Sequence, residues 1–463
     1  MEQADFDLLV GQPDELIKQI QAAKPPRDIA TYQKQYDPKQ HDIYDGAKRP
    51  DKIIEKDGGS STVSVARLGI PFQKKIVTLG AAILTGNPVQ LMATPADESQ
   101  TTFLEAIKRI CHDNKTSYKD GQLVEYMSSE TETAELWYAE KLGPLDINYW
   151  AGTVNEKGAA KFRLRMKVLS NQDGDGLYPV FSSTGDMIAF ARTYVVKVGD
   201  KNEERCDIYT ATKTLKLAKT DGWVIIATEV NFFNKIPIIY YSQPRPDWWD
   251  VQDLIDRFEK VNSNHGDTND YFGSPLIFVE GKVTGFAGKG EQGKVLQAEG
   301  GAKASYLTWN SSPESVKMEY TNLKSLIHYF TETPEISLEQ MANIGAFSGA
   351  AMKFLFLGAH LKAAQKERIF GEGVQRRINF LKAAQATINI STAEASAMTI
   401  TPKFEYYLPK NEEELINMLS TATGGKASMS QRTAVSANPY VSNVDAEMAE
   451  IEKEEGTVVM DEI

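Results

Sequence analysis

The sequence predicts an α+β chain, because its strands and its helices fall into separate blocks. Between Thr131 and Tyr241 apolar residues recur at every second position in TAELWYAE, KFRLRMKVL, MIAFARTYVVKV, RCDIYTATKTLKL and WVIIATEV. The turn clusters DGDG, STGD, GDKNEE and TDG separate them, which is the pattern of an antiparallel meander. Beyond the meander, two amphipathic helices bracket a small Gly-rich β unit, and a long helical stretch follows.

The first 60 residues are polar, with one helix at Asp14 to Ala22, and end in the breakers KDGGSS. The segment from Phe72 to Leu84 reads as a helix, stopped by Thr85-Gly86-Asn87-Pro88 in the manner of a C-terminal glycine followed by proline. Thr101 to Cys111 is a second amphipathic helix. After the meander comes PDWWDVQDLIDRFEKVNSNHGDTND, Pro246 to Asp270. Its first half places Val251, Leu254, Ile255, Phe258 and Val261 on one helical face, and Asp247 stands where an N-cap belongs, behind Pro244 and Pro246. From Asn262 to Asp270 there is no aliphatic or aromatic residue. Two readings stay open: a surface loop, or a helix that leaves one core and continues among water and other subunits. Leu276 to Tyr306 is the β unit, and Pro313 to Phe330 the second amphipathic helix. The loop TETPEISLEQMANIGAF leads to Ser348, the expected cap of a helical stretch reaching about Ile388. Gly358, Gly371 and Gly373 lie inside it at ~1 kcal/mol each against alanine, so a kink is expected. The strand AMTITPKFEYY, a helix from Asn411 and an acidic end complete the chain.

A length of 463 residues sets an expectation of about three domains. With 51 basic and 63 acidic residues the net charge is -12, which argues against a protein that grips nucleic acid by neutralising phosphates. No apolar run reaches the ~18 residues of a membrane span and the N-terminus lacks a signal-peptide pattern, so the chain is expected to fold in cytoplasm without a membrane partner. Cys111 and Cys206 have no metal or redox spacing and read as buried free thiols.

Motifs for catalysis fail on physical grounds. GKGEQGKV, Gly288 to Val295, matches the glycine–lysine part of a phosphate loop. Val295 lacks the hydroxyl that would ligate magnesium, and QAEGGAK follows where a helix N-terminus is needed, so a hairpin tip is the better reading. Asn171-Gln-Asp-Gly-Asp-Gly begins like a calcium loop but lacks its distal bidentate Glu, and reads as a turn between strands. The five histidines, His41, His112, His265, His328 and His360, have no shared metal spacing. No catalytic residue, metal site or cofactor is expected, and the chain reads as a non-enzyme. Trp248 and Trp249 beside Tyr240 and Tyr241 read as packing at a domain junction. Charge placement is more telling: no Lys or Arg occurs between Lys324 and Lys353, while Lys353, Lys362, Lys366, Arg368, Arg376, Arg377 and Lys382 make the following helix basic. That helix is either a solvated face or the partner of acidic surface on an identical neighbour.

In order and content these elements resemble the portal proteins of tailed bacteriophages. The carrying residues are PIIYYSQPRPDWWDVQDLIDRFEKV (Pro237 to Val261), SYLTWN (Ser305 to Asn310), HYFTETPEI, and FSGAAMKFLFLGAHLKAAQKERIFGEGVQRRINFL (Phe347 to Leu381), with IPFQKKIVTLGAAILTGNPV and EYYLPKNEEELINML at either end. The resemblance implies a portal fold with a mixed α/β wing at residues 1–240 and 391–440 and a first stem helix at 246–270. It places a small β clip at 271–311, a second stem helix at 312–330, a tunnel loop at 331–347, a long kinked helix at 348–390, and a short crown or acidic tail at 441–463. It implies a ring, typically twelvefold, at one capsid vertex of the virion, assembled in the bacterial cytoplasm, through which double-stranded DNA is packaged and ejected. Implied partners are further copies of the chain, the terminase large subunit, a head-completion or adaptor protein, and the major capsid and scaffolding proteins. Glu332, Thr333, Glu335, Ile336, Leu338, Glu339 and Asn343 would face the DNA channel. Val251, Leu254, Ile255, Phe258, Leu323 and Ile327 would pack the stem between subunits, their apolar faces being too long to hide within one. Lys282, Lys289 and Lys294 would dock partners at the clip. The competing readings are another virion structural protein such as a head–tail adaptor, and a DNA-processing NTPase, for which a complete phosphate loop is missing.

Overall fold

The computed structural model describes all residues except 1, 57–58, 147–148, 151–160, 273–275, 282, 287–295, 299–300, 302, 308–312, 336–353, 408–411, 425–426 and 459–463. The polar N-terminus holds more order than its composition announces, with helices α1 (Gln3–Leu9), α2 (Pro13–Ala23) and α3 (Ile29–Tyr36) and a hairpin of β1 (Lys52–Lys56) and β2 (Gly59–Val63). The apolar helix α4 (Phe72–Thr85) ends at Gly86, which keeps a right-handed conformation (φ -63) rather than the left-handed one of a typical glycine cap. Strand β3 (Gln90–Met92), α5 (Glu98–Asp113) and α6 (Thr116–Glu130) follow. Helix α6 is absent from the sequence reading because its buried side includes Asp120, Ser128, Ser129 and Glu130, which blur any apolar period.

The expected single meander is two sheets. Strands β6 (Gly176–Phe181), β7 (Met187–Val198), β8 (Lys201–Tyr209), β9 (Lys213–Lys219) and β10 (Trp223–Val230) form a five-stranded antiparallel meander. Strand β4 (Glu132–Lys141) instead lies between β5 (Phe162–Leu169) and β11 (Ile238–Ser242), so the chain returns after the meander to close a three-stranded sheet. The Asn171–Gly174 turn joins β5 to β6, as read from sequence. Helices α1 and α2 cover one face of the meander through Phe6, Leu16, Ile17 and Ile20 on Val180, Cys206, Ile208 and Leu217. The largest core joins α5, α6 and the three-stranded sheet to the long helix, around Phe103, Ile107, Met127, Trp137, Tyr241, Phe370 and Phe380.

Helix α7 (Gln252–Phe272) follows a 3-10 turn at Trp249–Val251. Two small hairpins, β12 (Leu276–Glu280) with β15 (Lys303–Leu307) and β13 (Val283–Phe286) with β14 (Leu296–Ala298), separate it from α8 (Pro313–Phe330). Gly288 to Val295 lies outside the described residues, but β14 stands where a phosphate loop would need a helix. The long helix α9 runs unbroken from Leu357 to Ile388; Ser348, its expected cap, lies outside the described residues. Its glycines permit close approach and do not interrupt it: a Cβ on Gly373 would stand 2.1 Å from the Tyr241 ring, and one on Gly371 3.3 Å from Phe404. A 3-10 segment at Ile390–Ala397 and β16 (Thr401–Lys403), paired with β3, bring the chain back to its first half. Helices α10 (Glu412–Thr423), α11 (Gln431–Ala437) and α12 (Val444–Val458) end it.

Candidate functional site at the stem and the loop base

Helices α7 and α8 pack side by side, and the residues expected at the stem gather in one core. Val251, Ile255, Phe258, Leu323 and Ile327 are buried and Leu254 and Val316 partly so, closed off by Phe72, Ile76, Val77 and Trp248. The expectation that these apolar faces wait for a neighbouring subunit is therefore corrected: α4 and Trp248 of the same chain cover them. Other apolar side chains stay exposed, among them Met318, Leu326, Tyr329 and Phe330 on α8 and Leu357 and Leu361 on α9. Trp248 is a core residue stacked on Tyr36, whereas Trp249 is half-exposed beneath the Arg245 guanidinium.

Asp247 does not cap the helix. Its side chain is buried, the carboxylate 2.6 Å from Lys366 Nζ on α9, and Lys366 also reaches Ser128 at the end of α6. The charges of Lys366 and Lys362 outweigh burial and hold the Asp247 pKa below the usual carboxylate value. Lys362 donates to the Thr331 carbonyl at 2.9 Å, and burial lowers its own pKa. Farther along α9, Arg377 is buried between Asp120 (2.6 Å) and Glu135, whose Oε1 also accepts from the Tyr241 hydroxyl. The basic helix thus spends Lys362, Lys366 and Arg377 inside its own chain, which neither of the two readings, a solvated face or a pairing with a neighbour, had for them. Arg368 and Arg376 remain on the surface.

The polar second half of α7 is helix, and it has a ligand of its own. Glu259, Ser263 and Asp267 stand four residues apart, one above another on one face. They accept the backbone N–H groups of Ile70 (2.7 Å), Leu68 (3.0 Å) and Ala66 (2.6 Å). The match is metrical: four helical residues advance about 6 Å and two extended residues about 6.6 Å, so an antiparallel extended segment meets an acceptor at every second N–H. Gly266 lets the segment close in, since a Cβ there would lie 3.1 Å from Ala66 Cβ. Arg49 bolts the far end through Asp267 (2.8 Å), Asn264 (2.8 Å) and the Ala66 carbonyl. At the near end His41 Nδ1 lies 2.6 Å from Glu259 Oε1. Sequence reading missed this ladder, although the four-residue spacing of Glu259, Ser263 and Asp267 was its visible signal.

Helix α8 ends in a left-handed cap. Thr333 N–H returns to the His328 carbonyl (3.0 Å) and Glu332 N–H to the Tyr329 carbonyl (3.2 Å), with Glu332 at φ 54 in the position glycine usually takes. Of the loop residues expected to face a channel, Glu332 is half-buried, Thr333 is buried with its hydroxyl between His328 Nδ1 and Thr331, and Glu335 pairs with Lys324 at 2.7 Å. Thr333 and Glu335 are thus taken up within the chain. Ile336, Leu338, Glu339 and Asn343 lie outside the described residues, as do Lys282, Lys289 and Lys294 of the expected docking site. With Thr331 and Pro334 also buried, the base of this loop is fixed through Glu335. Burial, with Lys75 facing the ring, holds the His328 pKa down to about 4.

A family described as phage portal protein, SPP1 Gp6-like, matches residues 27–459. The chain belongs to this family. Portal proteins of this family are structural and non-enzymatic components of the phage particle, and the α+β fold agrees with theirs. The portal protein of Bacillus phage SPP1 is 22% identical over 387 residues, covering 74% of each chain. Among solved structures, a chain in the neck of an empty GTA particle computed with C6 symmetry is 12% identical, covers 79% of this chain and 88% of its own, and gives a TM-score of 0.40. One in the virion of a native gene transfer agent particle is 11% identical, covers 89% and 94%, and gives 0.38. No helix among the described residues is long and apolar enough to cross a membrane.

Proposed function

We propose that this portal-family chain is the subunit of a closed homo-oligomeric ring, twelvefold as in the resemblance above, that conducts double-stranded DNA into and out of a phage head. The observation that carries it is the set of apolar side chains left exposed after the stem core is closed, Met318, Leu326, Tyr329 and Phe330 on α8 and Leu357 and Leu361 on α9. A surface of this kind on the side of a two-helix stem is suited to a heterologous contact, which closes into a ring when repeated by rotation. The net charge of -12 suits a conduit, since each phosphate ion pair releases counterions and would hold a duplex that has to slide. In this reading the loop beyond Glu335 faces the channel. The hairpins between α7 and α8 are the outer end, where the terminase motor docks and an adaptor later replaces it. Residues 1–240 and 391–440 form the wing towards capsid and scaffolding proteins, and 441–463 a short crown. The protein takes its place at the portal vertex after assembly in the bacterial cytoplasm.

The test is sedimentation and negative-stain imaging of the full chain beside the double variant Tyr329→Asp with Leu361→Asp. The unaltered protein should form rings with a central hole, and the variant should stay monomeric with unchanged circular dichroism. Rings that persist in the variant would move the interface elsewhere, and a monomer that no condition assembles would remove the ring.

A further inference from the structure

The strap, residues 41–56 and 59–70, crosses α7 from Glu259 to Asp267, and its near end turns on a histidine whose two ring nitrogens both face acceptors. His41 Nδ1 is 2.6 Å from Glu259 Oε1, and Nε2 is 2.8 Å from the Gln35 carbonyl oxygen. Both His41 and Glu259 are buried. We propose that His41 is the clasp of the strap, fastening it as an imidazolium and loosening it when the ring loses a proton.

The argument is geometric. A neutral imidazole carries one N–H, so whichever nitrogen gives up its proton turns a lone pair towards the Glu259 carboxylate or towards the Gln35 carbonyl. Only the doubly protonated ring satisfies both. The charged groups facing the ring are acidic on each side: Glu259 and Asp256 from α7, and Asp37 from the corner after α3. Asp42, the next residue of the strap, is engaged by Lys34 and Lys48. Gln35 lies in the last turn of α3, where the helix presents its negative end to a cation. Burial works against the charge, but the hydrogen bond to Glu259 and its negative charge outweigh it, so the His41 pKa stands above its ordinary 6.5. A group shifted upward in this way contributes its stabilisation fully below the ordinary value, and the contribution is lost as pH rises through the raised one. The strap is therefore fastened below the ordinary histidine value and loosens as pH rises through the raised one. Glu259 Oε1 accepts from both His41 and the Ile70 N–H, so the loss reaches the first rung of the ladder directly. The Ser263 and Asp267 rungs, with Arg49, keep the far end in place, so the strap opens from its His41 end.

The experiment is hydrogen exchange read by mass spectrometry on the full chain from about pH 6 to about pH 9, corrected for the intrinsic pH dependence of exchange, on peptides spanning residues 64–72. Protection there should fall across this range, by about tenfold for each unit by which the His41 pKa exceeds the ordinary value, while peptides from the meander stay level. His41→Gln should remove the pH dependence and leave the strap loose throughout, and His41→Arg, which keeps its charge, should leave it fastened throughout. If Gln does not fold, the unaltered protein decides alone: corrected protection that is flat across the range overturns the proposal. A slope that survives in His41→Gln overturns it as well, because another group would then be titrating.

Discussion

Arg377 is a buried charge held by two buried carboxylates. Its guanidinium ties α9 to Asp120 on α6 and Glu135 on β4, and the Tyr241 hydroxyl completes the cluster. Burial alone would lower its pKa, yet the two carboxylates raise it well above the usual arginine value, so it stays charged at any pH the protein survives. Removing one partner of such a cluster is far more costly than never having built it, because the remaining charges stay in the interior without compensation. Arg377→Met should therefore destabilise the chain by about 3–5 kcal/mol in urea unfolding. A loss below about 1 kcal/mol would place water, rather than protein, around the two carboxylates.

At the scale of the element, the base of the loop after α8 behaves as an extension of that helix. Its left-handed cap, the His328–Thr333–Thr331 hydrogen bonds, the Lys324–Glu335 pair and the Lys362 bond to the Thr331 carbonyl all hold it. His328 is kept neutral, with a pKa of about 4 against the ordinary 6.5. A histidine depressed in this way contributes stability above the ordinary value, and loses it as pH falls through the depressed one. The hydrogen bond and charge of Lys324 lower the Glu335 pKa, so protonation in acid removes that pair too. The base should stay closed at neutrality and open as pH falls towards about 4, read as new proteolytic cleavage between residues 328 and 335 before the meander loosens. Cleavage at equal rates at both pH values would show that the charged partners do not hold it. In the sequence this base, with Pro334 and the polar run around it, carries turn signals and nothing that announces its anchoring. Turn signals report backbone preference only, and three of the bonds that hold this base come from side chains outside the loop.

For the whole molecule, the relation between charge and a sliding duplex is the property to test. Replacing Glu332, Glu335 and Glu339 by Lys should slow DNA packaging at low salt, with a defect that shrinks as salt rises, because each new phosphate contact releases counterions. The Glu335 change also breaks the pair with Lys324, so the double variant Glu332→Lys with Glu339→Lys isolates the electrostatic effect. Packaging at an unchanged rate in that variant at low salt would take the loop away from the DNA.

Several features of this protein follow from the sequence alone: the α+β class, the strands of the meander, the two amphipathic helices around the β unit, the failure of GKGEQGKV as a phosphate loop, and the family resemblance. Each rests on short-range regularities, since periods of two and of 3.6 residues and turn chemistry all act within a few positions. Only the tertiary structure decided which apolar faces are already covered, that β11 returns to pair with β4, and that Asp247, Lys366 and Arg377 belong to the interior. It also decided that the polar half of α7 holds a strap rather than open water. Those facts depend on partners far apart in the chain, such as Arg377 with Glu135 and Asp267 with Ala66. A polar residue on a helix has the same local pattern whether water or a buried counter-charge satisfies it, and only its distant neighbours distinguish the two.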